Sequence, residues 1–375
     1  MNSRLHVVYT DSASLELIRP ILAELPQPPK NARITFKPNL VVAKPSSSGA
    51  TTDPTLVACI VQYLQEAGYR DIRIAEGSWV GERNTNHAYR ICGYEEISRK
   101  YNVPLIDLKR DKARKVEVDG LEIEVCEEIL TTDFLINMPV LKAHCQTRIT
   151  CALKNLKGCI PDREKRRFHT LGLHRPIAAL GSTIKSGWVI VDGIIGDLTF
   201  EEGGTPIRMD KIIIGTDPVL VDAYAIQLMG YELQDVPYVT MAAHLGAGSA
   251  DLSKAEIIEH GQKDTEYIPQ QPANRIAERY NSLIDQRQAC SSCYASLIYA
   301  LWRYEQLHGR LPAGVSLAIG QGFKGKDTGY SVAPTANARQ TYGIGSCTAR
   351  VCSHYVRGCP PSAKEVLTQL EDWLK

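Results

Sequence analysis

The run DPTLVACIVQYLQEAGY, residues 53–69, decides the fold. It opens on Asp-Pro, an N-cap carboxylate followed by a proline at the first helical position, and it closes near a glycine. Between these ends leucine, valine, isoleucine and tyrosine recur at helical spacing. On either side lie short β-branched runs, ITFKPNL (34–40) and IRIAEG (72–77), each ending in a polar or glycine-rich turn. Strand, helix, strand in this rhythm specifies parallel strands joined by a crossover helix.

The same rhythm extends in both directions. HVVYT (6–10), VPLIDL (103–108), DFLINMPVL (133–141), WVIVDGI (188–194) and DKIIIG (210–215) are predicted as strands. KVEVDGLEIEV (115–125) predicts a hairpin around Asp-Gly. TDPVLVDAYAIQLMG (216–230) repeats the Asp-Pro start, with Asp217 as the cap. The expected fold class is α/β: a parallel-rich twisted sheet with helices on both faces over residues 1–250. Residues 251–285, with the polar QKDTEYIPQQPANR, read as a linker with some helix. Residues 286–375 hold the helix-like YASLIYALWRYEQLHG, a strand in GVSLAIGQG (314–322) and the amphipathic SAKEVLTQLEDWLK. They are expected to form a small C-terminal α/β module.

The 375 residues carry a net charge of +1, so no global field marks the chain for nucleic acid or a membrane surface. No run approaches the roughly 20 apolar residues of a membrane span. The N-terminus, MNSRLHVVYT, has no apolar leader region and no twin-arginine signal. A cytoplasmic protein is expected, with neither nucleic acid nor membrane as partner. Eleven cysteines in a reducing compartment imply buried thiols, a redox thiol or metal ligation rather than a disulfide framework.

Five of those cysteines fall in the last quarter of the chain. Cys290 and Cys293 form a C-x-x-C pair that reaches one centre from a single turn. Cys347 lies in GIGSC and Cys359 in RGCPP, each on a glycine loop that allows close backbone approach. Four thiolates suit zinc or an iron–sulfur cluster. Single cysteines on glycine loops, in place of a second C-x-x-C knuckle, favour one 4Fe–4S cluster. Zinc and four unrelated buried thiols stay open as alternatives. Cys352 reads as a buried bystander. Cys145, Cys151 and Cys159 match no compact ligand spacing, and Cys151 reads as an ordinary buried thiol.

In open parallel sheets, ligands bind beyond the carboxyl ends of the strands. Lys37, Asn39, Glu76, Lys142 and His144 all stand at predicted strand ends and are candidates for one crevice. Lys154 and Lys157 join them from ALKNLKGC, the alternative being an outward, solvated face. Asp192 and Glu202 are the acidic candidates, as proton handlers or partners of the lysines. Such a site suits carboxylate or phosphate oxygens. The mixed run DREKRRF (162–168) reads as a solvated face. There is no complete P-loop motif (G-x-x-x-x-G-K followed by Ser or Thr) and no G-x-S-x-G elbow.

Two resemblances add to this. The order C-x-x-C, GSC and YVRGCPP resembles the cluster-binding pattern of the nickel–iron hydrogenase small subunit and the matching subunit of respiratory complex I. It implies Cys290, Cys293, Cys347 and Cys359 as cluster ligands. The large catalytic partner's sequence is absent, so hydrogenase activity is not implied. The ordered set FKPNL, ATTDP, AEGS, INMPVLKAH, ALKNLKGC, VDGI and GTDPVLVDA, over residues 33–230, resembles the family catalogued as domain of unknown function 362. Its members often carry an iron–sulfur module, and the front half also loosely resembles the nickel-dependent lactate racemase group. Many members carry a two-cluster ferredoxin insert that this chain lacks, which implies one cluster here.

The expected function is a cytoplasmic 4Fe–4S protein of anaerobic or microaerobic metabolism. It would transfer electrons or act as an oxidoreductase, with an anionic small molecule in the α/β domain and a redox partner protein. Assembly as a homo-oligomer is left open. The alternative is a non-redox binding protein or hydrolase in which the metal site only staples the C-terminal module.

Overall fold

Short β-branched runs flanked by turns form the strands expected of them. The computed structural model describes residues 4–199, 201–202, 205–262, 275–309, 315–324 and 340–374. The chain divides into two compact units, residues 1–165 with 173–272, and residues 166–172 with 273–375.

In the first unit the strands are β1 (Arg4–Tyr9), β2 (Ile34–Pro38), β3 (Ile72–Glu76), β4 (Leu105–Asp107), β5 (Ala113–Val118) and β6 (Leu121–Cys126). Then follow β7 (Phe134–Met138), β8 (Val140–His144), β9 (Arg148–Thr150), β10 (Ser186–Asp197), β11 (Pro206–Gly215) and β12 (Glu256–His260). β5 and β6 pair as the predicted hairpin. The others make one sheet ordered β12-β1-β11-β10-β7-β2-β3-β4, with β8 on β10 and β9 on β8. The run from β10 to β4 is parallel. β11 is antiparallel to both of its neighbours.

Strand alternation divides the sheet's two faces. Ile34, Phe36, Ile74, Ile136 and Ile190 share a core with Ile18 and Leu22 of helix Leu15–Glu24 and Leu56 and Ile60 of helix Pro54–Glu66. The alternate residues, Lys37, Asn137 and Val191 among them, face the other way. On the strands of that region pack helices Ala152–Asn155 and Pro218–Leu228. Both Asp-Pro helix starts are capped as expected, Asp53 accepting from the Thr55 N–H and Asp217 from those of Val219 and Leu220.

One stretch departs from expectation. Residues 256–260, inside the expected linker, form edge strand β12, parallel to β1. Its burial is slight, with Glu256, Ile257 and Glu259 exposed, because backbone pairing holds it more than apolar contact does. Residues 263–274 of that stretch lie outside the described residues.

The second unit is a parallel sheet, β13 (Ile284–Gln286), β14 (Val315–Ile319), β15 (Gln340–Ile344) and β16 (Tyr355–Val356), in that order. Gly314 of the predicted strand GVSLAIGQG lies outside the described residues. Helices Ser291–His308 and Ala363–Trp373 pack on each other. Ser362 and Glu365 form a reciprocal capping box at the start of the second. Among the described residues, no helix is long and apolar enough to cross a membrane.

At the β1–β12 edge, His6 Nδ1 lies 3.0 Å from His260 Nε2 and the rings stack. Burial, followed by the His260 charge, lowers the His6 pKa from 6.5. The unfolded chain therefore binds more protons than the folded one just below pH 6.5. Stability is fully present above that pH and falls as pH drops toward the folded value. Thermal unfolding followed by circular dichroism is expected to weaken between pH 7.5 and 5.5 (about one unit either side of the free imidazole). The His6→Gln variant should flatten part of that fall; an unchanged pH profile would remove His6 from the account.

Candidate functional site

β2, β7 and β3 end side by side, with Lys37 opposite Asn137 in register. Lys37 is fully buried and ion-pairs with Glu76. Its ammonium also donates to Asn155 Oδ1 (3.2 Å) and the Pro38 carbonyl (2.8 Å). Asn155 is the junction. Its Oδ1 accepts from Asn39 Nδ2 at 2.9 Å, and its Nδ2 donates to Asn137 Oδ1 at 2.8 Å and to the Lys37 carbonyl at 3.1 Å. Asn39 Oδ1 in turn accepts from Lys142 Nζ (2.8 Å), which also donates to the Ala50 carbonyl (2.5 Å). Glu76, Lys37, Asn155, Asn39 and Lys142 thus form one continuous buried chain of polar contacts.

Two devices hold Asn155 there. Asp222, buried in helix Pro218–Leu228, accepts the Ala152 and Leu153 N–H groups at 2.6 and 3.1 Å, anchoring the short helix that carries Asn155. Gly158, just beyond, lets the backbone press on the ion pair. A Cβ there would lie 2.5 Å from Glu76 Oε1 and 2.6 Å from Lys37 Cε, so any side chain would force the pair aside.

A second cluster adjoins Lys142. His144 Nδ1 accepts the N–H groups of Gln146 (3.1 Å) and Thr147 (3.0 Å), which leaves Nε2 as the protonated nitrogen. Nε2 lies 2.8 Å from the Glu201 carboxylate, and Lys154 Nζ lies 3.1 Å from the same oxygen. Burial pushes His144 down to about 4, against the opposing pull of Glu201. Burial alone would raise Glu201, but His144 and Lys154 outweigh it and hold the carboxyl well below its usual range. Burial also brings Lys142 down to about 7, and burial with the Glu201 charge brings Glu202 up to about 7. An amine and a carboxyl therefore both titrate near neutrality beside one fixed carboxylate, the arrangement general acid–base chemistry requires.

The structure brings together Lys37, Asn39, Glu76 and Lys142, and beside them His144, Lys154 and Glu202. Lys154 is buried rather than turned to solvent, and Lys157 is half-buried. Asp192 does not serve the lysines. Its carboxylate accepts the N–H groups of Asp53 (2.8 Å) and Ile194 (3.1 Å), so its work is to fix the backbone before helix Pro54–Glu66. The solvated-face reading of DREKRRF fails at Lys165, whose buried ammonium donates to the Gly77 and Ser78 carbonyls (3.1 and 2.9 Å) and pairs with Asp162 (3.2 Å). Reasoning from sequence missed Asn155, Asn137 and Glu201. The amides inside the apolar runs INMPVL and ALKNL were the available signal for the first two.

In the second unit Cys293 is the inner cysteine. Burial raises its thiol pKa, and the neighbouring sulfurs of Cys290, Cys347 and Cys359 raise it further, so all three lie within electrostatic reach of Cys293. Gly345, at φ +83°, would place a Cβ 3.3 Å from Cys293 Sγ, and Gly358 has φ +126°. Both positions require glycine for the loops to close around the sulfurs. Gln321 Nε2 donates to Cys290 Sγ at 3.5 Å, and the Lys324 side chain hydrogen-bonds Cys347. Cys359 is exposed. Cys352 packs with Ala318 and Phe323 in a separate small core. No disulfide joins the eleven cysteines. Among the described residues, no three His, Cys, Asp or Glu side chains converge as ligands of a single ion.

Fold and site define an α/β protein built on a mostly parallel sheet, with a buried lysine–asparagine network at its strand ends. The chain belongs to the family described as Domain of unknown function (DUF362), whose profile matches residues 34–227. A thylakoid-associated protein of Synechocystis sp. is 25% identical over 206 residues, which cover 52% of this chain and 61% of that protein. Among solved structures, the lactate racemase apoprotein from Thermoanaerobacterium thermosaccharolyticum superposes with a TM-score of 0.42 at 8% identity, over 61% of this chain and 57% of that one.

Removing one partner of a buried ion pair leaves an uncompensated charge. Lys37→Met is expected to lower stability by about 3–5 kcal/mol in urea unfolding. The double variant Lys37→Met with Glu76→Leu should recover most of that loss. If the double variant is as unstable as the single one, the pairing is not what the lysine contributes.

Proposed function

We propose that this chain is an iron–sulfur protein that exchanges single electrons with a protein partner, and that Cys290, Cys293, Cys347 and Cys359 hold one 4Fe–4S cluster. The observation that carries the proposal is the gathering of three other thiols about the buried Cys293, with Gly345 where any Cβ would press on the Cys293 sulfur. A thiol raised by burial and by neighbouring sulfurs, as that of Cys293 is, makes a poor free thiolate and a good one for binding a cationic core. A single zinc ion, with Zn–S of about 2.3 Å, needs its sulfurs converged on one point. Structural zinc sites of that kind commonly pair two C-x-x-C knuckles, whereas Cys347 and Cys359 are single cysteines on glycine loops, which favours a 4Fe–4S core.

The residues divide the work. When bound, the cluster supplies one-electron transfer. Gln321 and Lys324 donate hydrogen bonds to ligand sulfurs, which favours the thiolate and tunes the potential. Cys359, exposed, is the edge nearest to solvent and so to a partner. In the first unit, the proposal gives Lys142, His144 and Lys154, with Lys37, Asn39 and Lys157 behind or beside them, the anionic ligand or substrate. Lys37 and Lys154 are already paired with the chain's own Glu76 and Glu201, so a ligand carboxylate or phosphate would exchange with Glu201 rather than enter a vacant cavity. Lys142 and Glu202 would handle protons there. The reducing cytoplasm is the proposed setting, with the cysteines kept as thiols.

Anaerobic purification followed by iron and sulfide analysis tests the centre. Four irons and four sulfides per chain are expected for the one proposed cluster, with Cys293→Ser losing them and the visible absorption together. A colourless protein with bound zinc overturns the redox reading. If Cys347→Ser keeps ligand binding and loses only thermal stability, the metal is a staple and the α/β unit works without it.

A further inference from the structure

The surface around Cys359 carries charge that nothing in the described chain neutralises. Residues 340–365 hold three cations, Arg350, Arg357 and Lys364, and one carboxylate, Glu365. All three cations are exposed. Among the described residues, none of them makes an ion pair or a side-chain hydrogen bond, whereas Glu365 is turned to Ser362, accepting its N–H and Oγ–H at 2.7 Å each. Lys324, also exposed, reaches Cys347. The chain as a whole is near neutral, so this concentration is local.

The charges are also placed. Arg357 and Lys364 line one cleft of about 690 Å³ with Tyr355, Ser362, Thr368 and the capping carboxylate Glu365, between edge strand β16 and helix Ala363–Trp373. Arg357 and Ser362 are the two ends of the turn that carries Cys359. That turn is pinned from its other side, where Ser346 N–H donates to the Gly358 carbonyl at 2.8 Å. The exposed Cys359 therefore stands in the loop between two residues that line the cleft, Arg357 and Ser362. Unpaired arginine and lysine on an exposed rim attract a partner of opposite sign at long range and set its orientation, while adding little to contact affinity.

We propose that this face docks an acidic electron-transfer protein, with the partner's carboxylates against Arg350, Arg357 and Lys364 and its redox centre toward Cys359. The inference rests on the cluster reading for its purpose, but the docking itself does not need the cluster. Electron-transfer encounters bury little area and depend on charge, which matches a small polar rim without a large apolar patch.

The experiment is calorimetric titration of the full chain with a strongly acidic plant-type 2Fe–2S ferredoxin, and separately with basic cytochrome c. Titrations are run at about 20 mM and about 300 mM salt, where the screening length falls several-fold. The acidic probe is expected to bind, to weaken at least about tenfold at high salt, and to weaken similarly in the Arg357→Glu/Lys364→Glu double variant. Lys30→Glu, an exposed charge in the first unit, controls for net charge and should change little. Equal binding by wild type and double variant, or preference for the basic probe, overturns the proposal. Iron and sulfide are measured on the same samples. A colourless chain that still binds the acidic probe through Arg357 and Lys364 sinks the cluster and keeps the docking face; an iron-loaded chain that ignores the probe does the reverse.

Discussion

An ammonium group deep in a protein stays only where carboxylates, carbonyls and amides have been arranged to receive it. Lys37 imposes that demand on the first unit. Its single charge ties β2 to β3 through Glu76 and to the helix Ala152–Asn155 through the amide of Asn155. Asn155 then reaches β7 and, through Asn39, Lys142. Each of these elements carries its own hydrophobic face, but the polar chain fixes their registers at the strand ends, because a slip of one residue would leave a buried charge alone. Asp222 and Gly158 act through this demand, the first by anchoring the short helix and the second by yielding the space its backbone needs.

The two units treat charge in opposite ways. In the first, lysines are drawn inside and matched by the chain itself. In the second, the thiol of Cys293 is drawn inside, while Arg350, Arg357 and Lys364 stay exposed without an ion pair among the described residues. The family profile covers residues 34–227 and so embraces the lysine–asparagine network and none of the four C-terminal cysteines proposed as ligands. Kinship therefore speaks for the sheet and its strand ends, while the reading of the second unit stands on Cys293 and its surroundings.

Much of the fold was legible because its signals are local. Asp-Pro starts, glycine stops and β-branched runs each act within a few residues, and the helix Pro54–Glu66 begins where its cap dictates. The strand-end rule likewise picked out Lys37, Asn39, Glu76 and Lys142. What escaped was relational. FEEGG offers two adjacent carboxylates in a turn, where no strand or helix period assigns a direction to either, so the sequence could not say that Glu201 rather than Glu202 meets His144. Asp192 and Lys165 were misread for a related reason. A carboxylate that accepts backbone N–H groups, and a lysine that donates to backbone carbonyls, have partners with no side-chain signature. Strand β12 was missed because an edge strand held by its backbone needs no apolar pattern.

That edge strand bears on where the protein can be cut. β1 and β12 lie outside the matched segment, yet β1 pairs with the edge of β11, whose Ile212, Ile213 and Ile214 are fully buried, and β12 pairs with β1 in turn. A fragment trimmed to residues 34–227 would strip both away and bare a row of unpaired backbone amides along an isoleucine-rich ribbon, a template for stacking copies edge to edge. The segment matched by the family profile is thus smaller than the sheet needed to pair the open edge of β11.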